Sequence, residues 1–327
     1  MRQLVALMRF KPSTLIVRHS TTGRQSVWMI FEEPSFLLFI WRFEKASTAD
    51  SMENYTEMYD VNGIAFQTRI VENYYNYELN TLCDNPFEHV EIAAKFLRSV
   101  FDCKDKIEYN LDPDGCPDLK RYLIEVVNMD METKSLEFGD YTPGADNYPV
   151  KPEYLEFVLD NLKVDVELGV RGNPGNTFRY TKPINQRMVR IDAPAWVTPK
   201  IIQEARCEIL MLSFPRSKIT SKDVNEYLKR WINGEQQNIR YLCVYMIYGP
   251  FGNTEDWKVG IELREFDETR MTSKNDEASQ KFLKYKKRND QMTCWDIWAN
   301  DGTIGSVGIL GTNIDFIVWR PKTGQLL

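Results

Sequence analysis

The residues able to do chemistry are few, and most of them read as structure. Only two histidines are present, His19 in a predicted turn region and His89 on a predicted helix, so neither a two-histidine metal site nor a neighbouring Cys-His dyad is indicated. Packing or surface roles are expected for both. Asp112-Pro113-Asp114-Gly115 with Asp118 has the flavour of a calcium loop, but the fifth-position ligand and the closing Glu of an EF-hand are missing, so a capped turn is expected. Gly302, Gly305, Gly308 and Gly311 recur every third residue, yet no Lys-Ser/Thr follows and no helix opens there; turns between short strands explain them better than a phosphate cradle. Lys281-Phe282-Leu283-Lys284-Tyr285-Lys286-Lys287-Arg288 interleaves aromatics with basic residues, which nucleic acid would accept, but a solvated helix face is the expected reading. No catalytic, cofactor-binding or metal-ligating residue is therefore expected, and no cofactor.

Composition and charge narrow the classes further. A chain of 327 residues that is 43% hydrophobic and 13% aromatic has ample material for a packed core. A net charge of -6 argues against a phosphate-coating surface, so nucleic acid is not an expected partner. The six cysteines lie scattered with no C-x-x-C pair and no signal peptide ahead of them, which fits reduced thiols in an intracellular protein, cytoplasmic or nuclear. The longest apolar stretch, Val27 to Phe43, is broken by Glu32, Glu33 and Pro34; two strands and a turn are expected there, and no membrane association.

The elements that would position any site are clearest between Arg187 and Met246. In Thr220 to Gly234 the large apolar residues Val224, Tyr227, Leu228, Trp231 and Ile232 fall on one face of a 3.6-residue period, predicting a buried helical face. Thr220 and Asp223 supply a start signal and Gly234 a stop. The Tyr227 and Trp231 side chains are expected in the core and not in a ligand cage. A shorter helix, Thr198 to Ala205, opens with a Thr-Pro cap. Met188 to Ile191, Glu208 to Leu212 and Ile239 to Tyr245 read as strands, so the order is strand, helix, strand, helix, strand, with parallel pairing expected.

This stretch resembles a known family. Trp196-Val197-Thr198, Cys207 to Leu212, and Ile219-Thr220 followed by Asp223 to Gly234 look like the F-box-associated type 2 domain, which is expanded in nematode F-box proteins. Phe87 to Gly169 is similar to what precedes that domain, and Trp295-Asp296-Ile297 with Phe316-Ile317-Val318-Trp319 looks like its usual tail. The resemblance implies a non-catalytic protein-interaction module, the substrate-recognition part of an F-box ubiquitin-ligase receptor, whose partner is an unknown protein. The alternative is an enzyme of unrecognised type with a site not visible in the sequence. An F-box is a run of helices ahead of the β-rich region, and only Met1 to Phe10 precede the first predicted strand, with Leu4-Val5-Ala6-Leu7 as a candidate remnant. A Skp-type adaptor is accordingly not an expected partner, nor is assembly into a cullin ligase.

The rest of the chain completes the expected architecture, a mixed α/β fold in four parts. Residues 1–82, with a possible F-box remnant at 1–10, are rich in aromatic and β-branched residues (Leu15 to Val17, Ser26 to Phe31, Phe36 to Phe43, Ile64 to Leu79), with turns at Thr22-Gly23 and Glu33-Pro34, and predict an antiparallel β-sheet. Glu44 to Asp60 is predicted as a long loop. Residues 83–186 predict helices opened at Asn85, Pro117 and Pro152, alternating with strands at Ile107 to Tyr109, Ser135 to Phe138 and Val164 to Leu168. Their strands recur every roughly 20 to 32 residues, predicting a curved, degenerate leucine-rich-repeat-like β/α array that residues 187–247 continue. Residues 248–327 predict a strand from Trp257 to Phe266, a charged helix or linker from Asp276 to Asp290, and a β-meander over 292–319 as a C-terminal cap. Loops Asp140 to Val150 and Arg171 to Gln186, rich in Gly, Pro and Asn, mark seams where a partner is expected to meet exposed residues.

Overall fold

The computed structural model describes residues 12–20, 25–31, 37–45, 55, 57–61, 63–73, 76–101, 107–128, 133–139, 149–163, 165–175, 177–192, 194–213, 218–235, 238–245, 255–269 and 276–319. The candidate remnant at 1–10, the turns at Thr22-Gly23 and Glu33-Pro34, most of the loop after Glu44 and residues 140–148 of the first seam lie outside them. The described residues fall into two units, Met1–Pro143 and Gly144–Leu327.

In the first unit, alternation along each strand divides the residues between two faces. The strands are β1 (Thr14–His19), β2 (Gln25–Phe31), β3 (Leu37–Lys45), β4 (Glu57–Val61), β5 (Ile64–Asn73), β6 (Asn76–Cys83), β7 (Ile107–Leu111) and β8 (Thr133–Phe138). They are ordered β8-β7-β1-β2-β3-β6-β5-β4. Leu15, Val17, Val27, Met29, Phe31, Trp41 and Phe43 are buried, while Trp28 on the other face is half-buried beneath the Arg18 guanidinium, 5.7 Å from the ring centroid. Helix α1 (Pro86–Val100) packs on β1, β2 and β3 with Val90, Ala93, Ala94 and Leu97 buried, and Asn85 caps it as predicted. Helix α2 (Leu119–Tyr122) runs on as a π-turn, Leu123–Val127.

Three expectations are corrected here. The sheet is not purely antiparallel: β3 pairs with β6 in parallel, from Leu38↔Asn76 to Lys45↔Cys83, and β1 pairs with β7 in parallel. Parallel neighbours need a long connection, and the chain between β3 and β6 supplies one that carries β4 and β5 within it. Ile64 to Leu79 is not one run but the antiparallel pair β5 and β6, and β4 occupies the end of the predicted loop. Finally, Pro117 does not open its helix. The Asp118 carboxylate accepts the Arg121 amide at 3.1 Å, so the stronger cap lies one residue past the proline and the helix starts at Leu119.

The second unit contains β9 (Glu167–Val170), β10 (Met188–Ile191), β11 (Ile209–Leu212), β12 (Tyr241–Tyr245), β13 (Arg264–Glu265), β14 (Thr293–Trp298), β15 (Ile304–Leu310) and β16 (Asn313–Val318), ordered β9-β10-β11-β12-β16-β15-β14-β13. Strands β9 to β12 are mutually parallel, and β16, β15, β14 and β13 follow antiparallel. Its helices are α3 (Pro152–Asn161), α4 (Pro199–Glu204), α5 (Ser221–Ile232) and α6 (Glu277–Arg288). Both faces of this sheet are covered, which is why Ile209 to Leu212 has no polar alternation. Phe282 of α6 packs with Met188, Ile209, Tyr241, Cys243 and Ile317 on one face. On the other, Tyr227 and Trp231 of α5 meet Phe316 edge-on at 6.1 and 5.0 Å.

Helix α5 has the borders its sequence encodes. The Asp223 amide donates to Thr220 Oγ1 at 3.3 Å and the Thr220 amide donates back to Asp223 Oδ2 at 2.8 Å, a reciprocal cap, and Gly234 takes φ +80° past the end. Asn225 shares the buried face: its amide donates to the carbonyls of Trp257 and Val259 at 2.7 and 2.9 Å. That tether explains why the predicted strand Trp257 to Phe266 is mostly absent. Those carbonyls serve Asn225 instead of a ladder, Trp257 sits in a short 3-10 turn, and only Arg264–Glu265 pairs, with β14.

The periodic glycines split into two kinds. Gly302 and Gly311 adopt positive φ in the turns of the meander. Gly305 and Gly308 lie within β15 as points of close approach: a Cβ on Gly305 would stand 2.7 Å from Phe316 Cε2 and 3.0 Å from Trp231 Cη2, and one on Gly308 1.9 Å from Met292 Cε. Gly305→Ala is expected to cost about 1–3 kcal/mol by overpacking against fixed rings. Gly308→Ala should cost less, because the end of the Met292 side chain can swing away. Urea denaturation of the two variants checks the order.

Candidate interaction surface

The crossover from β9 to β10, residues 171–186, contains no helix among the described residues, yet it is anchored at Phe178, Tyr180, Ile184 and Gln186. Asn173 Oδ1 accepts the Gly175 amide at 2.9 Å, closing the turn that its glycine, at φ +89°, permits. Phe178 and Tyr180 are buried edge-on against Trp196, with centroids 5.3 and 6.4 Å away. Ile184 is fully buried and its carbonyl accepts the Arg206 amide at 2.8 Å. Gln186 Nε2 donates to the Leu159 and Leu162 carbonyls at 3.1 and 3.4 Å, satisfying the C-terminal end of α3. The Tyr180 hydroxyl and the Lys182 ammonium both reach Asp160 on the same helix.

Between these anchors Thr177, Arg179, Thr181, Lys182 and Asn185 are exposed and Pro183 is half-buried. The backbone that carries these side chains is held in place before any partner arrives, so less ordering entropy is lost on contact than with a free loop.

Of the chemically capable residues, His19 and Cys116 are enclosed. His19, the last residue of β1, is fully buried: Nδ1 faces Gln25 Oε1 at 2.6 Å, and Nε2 faces the Tyr122 hydroxyl at 2.8 Å and Glu91 Oε1 at 3.1 Å. Gln25 is oriented by donating to the Ser20 and Gly115 carbonyls. Burial, reinforced by the Glu91 carboxylate, raises the Tyr122 phenol well above its ordinary value, and burial pushes the nearby Cys116 thiol up to about 12, which removes it as a nucleophile at neutral pH. His89 is half-buried on α1, with Nδ1 2.7 Å from the Asn85 carbonyl. His19 is thus no turn residue but the centre of a polar cluster that brings the distant Glu91 and Tyr122 to it and to nearby Gln25.

Asp112 has its carboxylate on the Asp114 amide at 3.1 Å and its carbonyl on the Gly115 amide at 3.0 Å, a self-closed turn, while Asp118 caps α2. Among the described residues no group of three or more His, Cys, Asp or Glu is placed to hold a metal ion. A second buried cluster lies under α6, where Asp315 accepts from the Tyr241 hydroxyl and from Asn313 Nδ2. Burial outweighs those hydrogen bonds and raises the Asp315 carboxyl to about 6. Tyr227 and Trp231 are core residues, and the Tyr227 hydroxyl has no partner among the described residues.

Fold and surface together define a mixed α/β protein built on strand-rich sheet, with an anchored extended crossover facing solvent. Residues 178–244 match the F-box associated family model, a run that starts at Phe178 within the crossover and ends at Val244 in β12. That match spans the Trp196, Cys207 and Thr220 motifs on which the resemblance rests. No curated protein and no solved structure matches the chain. Among the described residues no helix is long and apolar enough to cross a membrane.

Proposed function

We propose that this chain is a non-catalytic protein-interaction module, the substrate-recognition part of an F-box-type ubiquitin-ligase receptor, and that the crossover 171–186 presents its contact residues. The observation that carries this reading is the coincidence of the family-matched segment, which opens at Phe178, with the stretch where buried anchors alternate with exposed polar side chains. The burial of the His19 and Asp315 side chains inside the two units adds support. In the same reading, residues 83–186 and 187–247 form a degenerate leucine-rich-repeat-like β/α array, 1–82 its β-rich beginning and 248–327 its cap.

Deleting the crossover would be a poor test, because it would strip Phe178, Tyr180, Ile184 and Gln186 from the core. Thr181→Arg with Asn185→Arg changes only exposed positions. Partner recovered by photo-crosslinking from a residue placed at Arg179 should fall by at least about tenfold, or 1.4 kcal/mol, with an unchanged thermal midpoint. Lys200→Glu, on the exposed side of α4, is the matched control. Equal recovery by the double variant would exclude this surface, and failure to crosslink any discrete protein would count against the recognition role itself.

A further inference from the structure

We infer that the outward stripe of α6 is a docking surface for an acidic polypeptide segment. The inner side of the helix is fixed: Ala278, Phe282 and Leu283 pack against Tyr241, Cys243, Ile317 and Trp319. Its first turn is pinned by two ion pairs, Asp276 Oδ2 to Arg240 Nη2 at 2.8 Å and Glu277 Oε2 to Arg187 Nη1 at 2.9 Å. The acids at the helix start are therefore engaged by arginines beside the β10 and β12 strands. Beyond the exposed but paired Glu277, what remains toward solvent is Gln280, Lys284, Lys287 and Arg288, exposed, with Lys281 half-exposed one turn before Lys284. None of the four basic residues has an ion-pair partner among the described residues. Lys286 is turned away, its ammonium donating to the Met292 carbonyl at 2.6 Å.

The bland account of these cations explains only part of the pattern. Positive residues in a last turn complement the helix dipole, and that covers Lys287 and Arg288. Lys281, Lys284, Lys287 and Arg288, however, stand at i,i+3 and i,i+4 spacings, where like charges repel and weaken the helix. Alternating signs would give equal solubility without that cost. In a chain of net charge -6 the stripe is a local inversion of sign, presented on a helix whose orientation the core dictates.

Its size selects the partner. The seven helical steps from Lys281 to Arg288, at about 1.5 Å each, give a stripe roughly 10 Å long. That length accepts about three residues of extended chain at roughly 3.3 Å each. Nucleic acid draws its affinity from many phosphate contacts along a longer track, and a chain of net charge -6 offers it no overall attraction. A short Asp/Glu-rich segment mainly senses charges within about 8 Å at physiological salt, and so mainly the lysines. The stripe lies outside the family-matched residues 178–244 and goes beyond the recognition role proposed for the crossover, so either reading can fail without the other.

Fluorescence anisotropy on the full chain tests it, with a labelled Glu/Asp-rich peptide, its Gln/Asn counterpart, single-stranded and duplex oligonucleotides, and vesicles of anionic lipid. Saturable binding of the acidic peptide is expected, falling steeply with salt and weakened at least about tenfold by Lys281→Glu/Lys284→Glu/Lys287→Glu. The matching triple Gln variant, which keeps helix propensity without charge reversal, should show a smaller loss, with circular dichroism confirming the fold of both. The proposal is overturned if the acidic peptide does not bind, if its neutral counterpart binds equally, if oligonucleotide or vesicle binds more tightly, or if both variants retain the wild-type affinity.

Discussion

Trp231→Ala is expected to lower the free energy of unfolding by about 3–5 kcal/mol, with urea denaturation showing a lower midpoint and an unchanged slope. The indole is 3% exposed, meets Phe316 edge-on at 5.0 Å and has its ring tip against the Gly305 backbone. Removing it opens a void that neighbours are poorly equipped to fill, because Gly305 has no side chain to advance and Phe316 is already in contact with Tyr227. The upper half of the range is therefore expected. The pair should also couple: in the Trp231→Ala background Phe316 gains room to move, so Gly305→Ala should cost less there than in the parent chain. A loss below about 1 kcal/mol for Trp231→Ala would place the indole outside the core, and strict additivity with Gly305→Ala would remove the shared contact from the explanation.

What the sequence makes legible follows from how local each signal is. The α5 face and both its borders are encoded within fifteen consecutive residues, Thr220 to Gly234, and period, cap and stop can be read together. The parallel order of β9 to β12 is legible because a strand apolar on both faces has to be covered on both. Signals that depend on distant partners are not legible. Asn225 falls beside the apolar stripe, but nothing local reveals that its amide will satisfy the carbonyls of Trp257 and Val259, thirty-two and thirty-four positions on. His19 reads as a turn residue because its partners Glu91 and Tyr122 lie seventy-two and one hundred and three positions away. Gly305 and Gly308 do carry a usable signal, since glycine inside a β-branched run marks a close backbone approach as readily as a turn. For the crossover, Gly, Pro and Asn correctly mark an irregular segment, while the Phe-x-Tyr-x-x-x-Ile-x-Gln spacing that anchors it has no regular period to give it away.

The stability of the chain should also fall as pH rises between about 4 and about 6 through Asp315, by an amount on the order of 3 kcal/mol. Its carboxyl is raised from the ordinary 3.8 to about 6 because the side chain is fully buried between β12, β16 and α6, and the hydrogen bonds from Tyr241 and Asn313 offset only part of that desolvation. The sign is fixed by proton counting. Within this window the folded chain holds a proton that the unfolded chain has released, so the stabilising contribution is full below the unfolded value and lost as pH rises through the folded one. Asp276 and Asp301 act oppositely: although burial pushes Asp276 upward, Arg240 holds it below the ordinary range, and the Thr303 backbone amide does the same for Asp301, so both favour folding as pH rises at the acidic end. The whole-protein curve therefore mixes slopes, and the difference between parent and Asp315→Asn isolates the one at issue. The substituted amide has the same one-acceptor, one-donor character as a protonated carboxyl, so the variant's absolute stability should lie within about 1 kcal/mol of the parent where the parent aspartate is protonated. The discriminating quantity is the slope: parent minus variant should decline from pH 4 to pH 6 and flatten above. A difference curve level across that interval, measured by urea denaturation at fixed ionic strength, would mean that Asp315 titrates in the folded chain as it does in water.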